Sequence, residues 1–230
     1  MKKNTMMRLA SFLLVAVLMS SSVISGTFAK YVTAGSAKDS ARVAAFGVVI
    51  NTVSESDFAK SYAKHDSTYN ISEITVNAND KVVAPGTSSA DVNGDVTFSI
   101  TGTPEVAVEL KFEVVATSEV KLDKEKAYND YTTADDDSDT FTLTEEYYPV
   151  KFTLKKSGED TPLVANGTLA EVAAALNGQN RKYAPNTTLD RTYTLTWAWA
   201  FNGNDQADTY LGMNPQTLGY TLNVSVTQVD

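Results

Sequence analysis

One run constrains the fold of this chain more than any other. Tyr193, Leu195, Trp197, Trp199 and Phe201 alternate with Thr192, Thr194, Thr196, Ala198 and Ala200. Successive side chains of a strand point to opposite faces, so this rhythm predicts a half-buried strand with its aromatic face in a core. The same period returns in Val96, Phe98 and Ile100, and in Val106, Val108, Leu110, Phe112 and Val114. It returns again in Val150, Phe152 and Leu154, and in Tyr220, Leu222, Val224 and Val226, with Thr221, Asn223, Ser225 and Thr227 facing away. Turn residues separate the runs: Ala84-Pro85-Gly86-Thr87, Asn93-Gly94-Asp95, Thr101-Gly102-Thr103-Pro104 and Asn202-Gly203-Asn204. Regular strands with short turns predict an all-β chain, an antiparallel β-sandwich of jelly-roll type.

One or two short helices interrupt the strands. Thr168 and Glu171 have capping-box spacing, Leu169, Val172 and Leu176 form an apolar face, and Asn177-Gly178 is a stop. This helix is expected to plug an end or edge of the sandwich. A weaker pattern places a second helix over residues 54–63, with Phe58 and Tyr62 on one face. Residues 121–140 are highly charged and read as an exposed acidic loop containing Asp135, Asp136, Asp137 and Asp139.

The amino terminus reads as a secretion leader. Lys2, Lys3 and Arg8 precede an apolar run from Leu9 to Met19 and a small-residue exit, Gly26-Thr27-Phe28-Ala29. The run is shorter than the roughly 20 apolar residues a membrane span requires. Cleavage is expected between Ala29 and Lys30, leaving 30–230 as a single domain. Without the leader's three basic residues, 16 basic residues face 28 acidic ones, a net charge of −12 against −9 for the whole chain. That balance disfavours nucleic acid and, for the mature chain, anionic membrane as partners. It favours solubility, cation binding, or association that depends on salt and pH.

Candidate chemistry is sparse. The absence of cysteine excludes disulfides, thiolate metal sites and a cysteine nucleophile. The single histidine, His65, excludes paired-histidine zinc sites and leaves no credible triad. No catalytic residue and no cofactor are assigned. Asn202, Asn204, Asp205 and Asp208 lie close in sequence and offer oxygen ligands for a hard cation such as calcium, with Asp205 and Asp208 as the metal candidates. The competing reading has these side chains capping a turn or short helix. Trp197, Trp199 and Phe201 are either core or an exposed aromatic platform.

Ahead of the first regular turn, Val43 to Ile50 is apolar at nearly every position and is expected to be a strand buried on both faces. A polar segment, Thr33 to Ser40, precedes it. An amino terminus of this composition can either pair within its own domain or add to a neighbour's sheet edge.

Gly26-Thr27-Phe28-Ala29-Lys30-Tyr31 and Asp39-Ser40-Ala41-Arg42-Val43-Ala44-Ala45-Phe46-Gly47 resemble the leader junction of the TasA/camelysin family of secreted proteins of Gram-positive bacteria. Val83 to Thr87, Phe98 to Val106, Trp197 to Phe201 and Asp208 to Gly212 resemble further segments of its clostridial members. The resemblance implies processing by a SipW-type signal peptidase and a jelly-roll subunit that homopolymerises into biofilm matrix or cell-surface fibres. It implies donor-strand complementation through the amino terminus, within Lys30 to Ser40 and reaching toward Ile50, so that Lys30, Tyr31, Val32, Thr33 and Ala34 are the polymerisation candidates. It leaves room for an accessory matrix or anchoring protein. The family has also been classed as metallopeptidase-like, but one histidine and no zinc motif depart from that label. Two rival readings are a monomeric cell-surface module that binds glycan or host protein, and a secreted hydrolase.

Overall fold

The computed structural model describes residues 42–52, 58, 61–62, 74–75, 81–92, 94–133, 139–201 and 203–229. The chain divides into two units, Met1–Ala45 and Phe46–Asp230. Of the first, only residues 42–45 are described; they have no regular structure, and Val43 is exposed.

In the second unit, strands β1 (Val48–Thr52), β2 (Ser61–Tyr62) and β3 (Ile74–Thr75) come first. After a 3-10 turn at Ser89–Val92 follow β4 (Val96–Gly102), β5 (Val108–Ser118), β6 (Ala127–Asn129), β7 (Thr140–Thr142), β8 (Val150–Lys156) and β9 (Val164–Gly167). Helix α1 (Leu169–Asn177) leads into β10 (Arg181–Tyr183) and β11 (Leu189–Trp199), and helix α2 (Asp205–Met213) leads into β12 (Gly219–Gln228).

Two antiparallel sheets form the body, one of order β1-β4-β11-β8-β9 and one of order β10-β5-β12. Period-two burial explains their facing. Phe98 and Ile100 of β4, Phe152 and Leu154 of β8, and Tyr193, Leu195, Trp197 and Trp199 of β11 are buried from one side. Val108, Leu110 and Phe112 of β5 are buried from the other. The sheets meet through aromatic contacts: Phe112 meets Phe98 at 6.0 Å and Tyr193 edge-on at 5.3 Å, and Phe152 meets Tyr220 edge-on at 5.9 Å, while Phe98 and Tyr193 stack as cross-strand neighbours at 5.2 Å. The chain switches between the two sheets at β4–β5, between β5 and β8, and at β9–β10, β10–β11 and β11–β12, which makes an antiparallel β-sandwich.

The long strand β11 is paired along both sides. On one side β4 pairs Leu189 through Leu195. Beyond that point the Gly86–Ser88 segment takes over: the Gly86 amide donates to the Trp199 carbonyl, and the Trp199 amide donates to the Thr87 carbonyl at 2.8 Å. The Trp197 amide donates to the Ser89 hydroxyl at 3.2 Å. These bonds supply partners for backbone groups of Trp197 and Trp199, whose side chains are buried. On the outer face of the same sheet, Thr97 and Thr194 sit opposite each other with their hydroxyls 3.3 Å apart.

Helix α1 forms where the spacing predicts it. The Glu171 amide donates to the Thr168 hydroxyl, the Thr168 amide donates to the Glu171 carboxylate at 2.7 Å, and Leu169, Val172 and Leu176 are buried. The helix packs against β5, β8 and β9, closing one side of the sandwich. Gly178 ends it in a right-handed conformation, so the stop is not a left-handed glycine cap.

Four expectations change. Ser61 and Tyr62 are paired as β2 with β3, not helical; the rest of the expected second helix, apart from Phe58, lies outside the described residues. Phe201 falls after β11 ends and is 53% exposed, so it is not core, whereas Trp197 and Trp199 are. The Val43–Ile50 run is not buried on both faces: the strand starts at Val48, and Phe46, Val49 and Ile50 are 41%, 53% and 38% exposed. The acidic 121–140 stretch is not only a loop. It buries Leu122 and Tyr128, pairs Leu122 with Tyr147, and folds into the β6–β7 hairpin. Tyr128 anchors it, its hydroxyl accepting from the Asp123 amide at 2.6 Å and donating to the Asp123 carbonyl. Asp135, Asp136 and Asp137 lie outside the described residues.

Candidate functional site

The sheet edges are the feature of this surface with the clearest chemical consequence. An edge strand presents unpaired amides and carbonyls, which proteins ordinarily protect with charge, brevity, bulges or a covering element. Two edges here are protected in those ways. Strand β10 has three residues, two of them Arg181 and Lys182. Strand β9 has four residues, an irregular register against β8, a left-handed Asn166, and α1 packed against it.

The other two edges, β1 and β12, carry no charge, and among the described residues no strand pairs beyond them, though Phe58 packs edge-on against Tyr220 of β12. Strand β1 pairs with β4 on one side, Val48 opposite Gly102 through Thr52 opposite Phe98. Nothing pairs with its other side among the described residues. From Val43 to Ser54 the sequence carries no charge. Its close approach to β4 depends on Gly102, at φ +136°, where a Cβ would lie 2.0 Å from the Gly47 carbonyl oxygen. Strand β12 pairs with β5 on one side only among the described residues, and its ten residues carry no charge and no proline. Its inward row, Tyr220, Leu222, Val224 and Val226, is half-buried, while Leu110 and Phe112 on neighbouring β5 are fully buried. The Tyr220 hydroxyl is buried and has no hydrogen-bond partner among the described residues.

The cation candidates Asp205 and Asp208 lie in the first turn of α2. Asp208 turns inward. Its Oδ1 accepts from the Tyr147 hydroxyl at 2.6 Å and from the Trp199 indole at 3.2 Å, tying α2 to the end of β11 and to the Leu122–Tyr147 bridge. Burial pushes its carboxyl above the usual aspartate value, the two hydrogen bonds pull it down, and Asp205 raises it again. Asp205 is exposed, and the side chain of the N-cap residue Asn204 makes no capping hydrogen bond. A cleft of about 280 Å³ lies between Phe141–Leu143 and Gly203–Ala207. Among the described residues no three His, Cys, Asp or Glu side chains gather as a metal site would require. Asp130 nearby is held below the usual carboxylate range by the side-chain and backbone hydrogen bonds of Thr132, at 2.6 and 2.9 Å, and accepts from Gln206 as well.

His65, the polymerisation candidates Lys30 to Ala34 and the cleavage pair Ala29 and Lys30 lie outside the described residues. Sequence reading missed that β12 ends its sheet among the described residues, and it missed the Asp208 contacts. The first carries a signal, ten residues without charge at the end of an acidic chain; the second depends on Tyr147, 61 positions away, and has none. Among the described residues no helix is long and apolar enough to cross a membrane. Compared with models of protein families, with curated proteins and with solved structures, the chain gives no match.

Proposed function

We propose that this chain is a secreted structural subunit that associates with itself, strand to strand, into extracellular fibres of a biofilm matrix or cell surface. The observation that carries the reading is β1: an uncharged edge strand near the amino terminus with Val49 and Ile50 turned to solvent. A monomer gains nothing from such an edge. A polymer gains backbone hydrogen bonds and roughly 25 cal/mol for each Å² of apolar surface removed from water. The resemblance of the leader junction and the following segments to the TasA/camelysin family supports the same reading, as does the sandwich architecture. In this scheme a SipW-type peptidase cuts after Ala29, and the freed segment from Lys30 lies ahead of β1. The mature chain acts without catalysis and without an obligatory cofactor.

The binding-module rival needs an aromatic platform, and Trp197 and Trp199 are only 3% and 5% exposed. The self-assembly reading is tested on the chain beginning at Lys30, by light scattering and negative-stain microscopy across protein concentration, with and without calcium. Regular filaments are expected. A monomer under every condition would reject the proposal.

A further inference from the structure

We propose that α2 is a latch that swings off the end of β11 as a unit while the sandwich stays folded, and that the contact of Asp208 with Tyr147 and Trp199 is its catch, tightened by acid. The proposal is independent of the self-assembly reading.

The two helices are held in different ways. Helix α1 has a complete capping box and buries Leu169, Val172 and Leu176 where it packs on β5, β8 and β9. Helix α2 has no side-chain cap on its first turn and buries only Ala207 and Leu211 of its nine residues. Its remaining ties are polar and aromatic. Tyr147 and Trp199 both donate to Oδ1 of Asp208. The Gln206 amide group donates to Asp130 of the β6–β7 hairpin, and the Tyr210 ring meets Tyr128 and Phe141 of the same hairpin. The backbone marks the ends of the movable stretch. Gly203, at φ +80°, precedes α2. Beyond it Gln216 is fixed, its side chain accepting from the Lys121 amide at 2.9 Å and donating to the Lys121 carbonyl at 3.1 Å. The latch therefore runs from Gly203 to Pro215. Elements that bury little apolar surface open locally at a fraction of the cost of global unfolding. Opening here bares the buried face of α2 and the indole of Trp199.

The catch titrates. Burial disfavours the ionised form of Asp208, the Tyr147 hydroxyl and the Trp199 indole of β11 favour it, and Asp205 on the same turn disfavours it again; burial is the largest influence and the carboxyl lies above its ordinary value. The closed latch therefore binds a proton more readily than the open one, and raising the pH through the closed-state value favours opening. Asp130, the carboxylate that α2 meets on the hairpin, has the opposite sign. The hydrogen bonds of Thr132 hold it below 3.8, so its grip is present above that value and is lost only in stronger acid.

Native-state amide hydrogen exchange of the intact chain, corrected for the intrinsic rate at each pH, reads the open fraction. The amides of Thr209–Met213 are expected to exchange about tenfold faster, or more, than those of β4 and of Leu189–Leu195 in β11. Their open fraction is expected to rise several-fold between about pH 4.5 and about pH 7.5. Asp208→Asn keeps an acceptor oxygen and removes the titration, so its open fraction is expected to stay level over the same range. If α2 is as protected as β4, and so opens only with the whole fold, the latch is overturned. A level open fraction in the unsubstituted chain, or an unchanged pH trend in Asp208→Asn, would overturn Asp208 as the acid-tightened catch.

Discussion

Asp208 shows how one side chain can fix an element and still weaken it at neutral pH. Its folded-state pKa lies above the ordinary value of 3.8, with burial the largest cause. Its contribution to stability is therefore fully present below the unfolded value and is lost as pH rises through the folded value. Asp208→Asn keeps an oxygen for Tyr147 and Trp199 and removes the charge. It is expected to melt above the unsubstituted chain near pH 7, with the gap closing as pH falls below about 4. A gap independent of pH in thermal unfolding followed by circular dichroism would refute this. Asp208→Ala instead strands the two donors and should cost about 1–3 kcal/mol. In the core, Phe98 is fully buried against Tyr193 and Phe112, so Phe98→Ala should cost about 3–5 kcal/mol in a denaturant titration. Such buried residues were legible because period two encodes facing directly. Phe201 was not, because the rhythm continues past the end of β11; its ring instead lies over Gly86, where a Cβ would come within 2.2 Å. Asp208 was legible as a residue of interest but not in its contacts, since these join parts of the chain brought together only by the fold.

Among the elements, α1 and β1 mark the two limits of what local sequence conveys. The ends of α1 are set by Thr168, Glu171 and its apolar spacing, all local, and the helix forms where they indicate. Thr168→Ala should cost about 1 kcal/mol, read from the midpoint of urea unfolding. Strand β1 was legible as apolar and extended but not in its position. An uncharged apolar run fits equally a central strand covered on both faces and an edge waiting for another chain, and only long-range pairing distinguishes them. The same holds for β12, whose alternation announces a strand but not its place at the end of a sheet. Gly102→Ala tests how β1 is held. The added Cβ meets the Gly47 carbonyl, and φ +136° disfavours any side chain. Amides of Val48–Thr52 should exchange faster with solvent, the rest of the larger sheet should stay protected, and assembly should fall. Unchanged exchange in β1 would show that the close approach relaxes without cost.

In the proposed assembly the acidic chain, net −12 without its leader, sets long-range repulsion against short-range pairing at the uncharged β1 strand. Salt screens the first within roughly 10 Å at 0.1 M and leaves the second nearly untouched. Raising ionic strength should therefore lower the protein concentration at which light scattering first rises. The opposite trend would mean that attraction between opposite charges carries the contact. The most direct measurement compares amide hydrogen exchange in the monomeric and assembled chain, residue by residue. Val48–Thr52 should gain protection on assembly, while β9 and β10 should not. Assemblies in which β1 exchanges as fast as in the monomer would contradict strand-to-strand association through this edge.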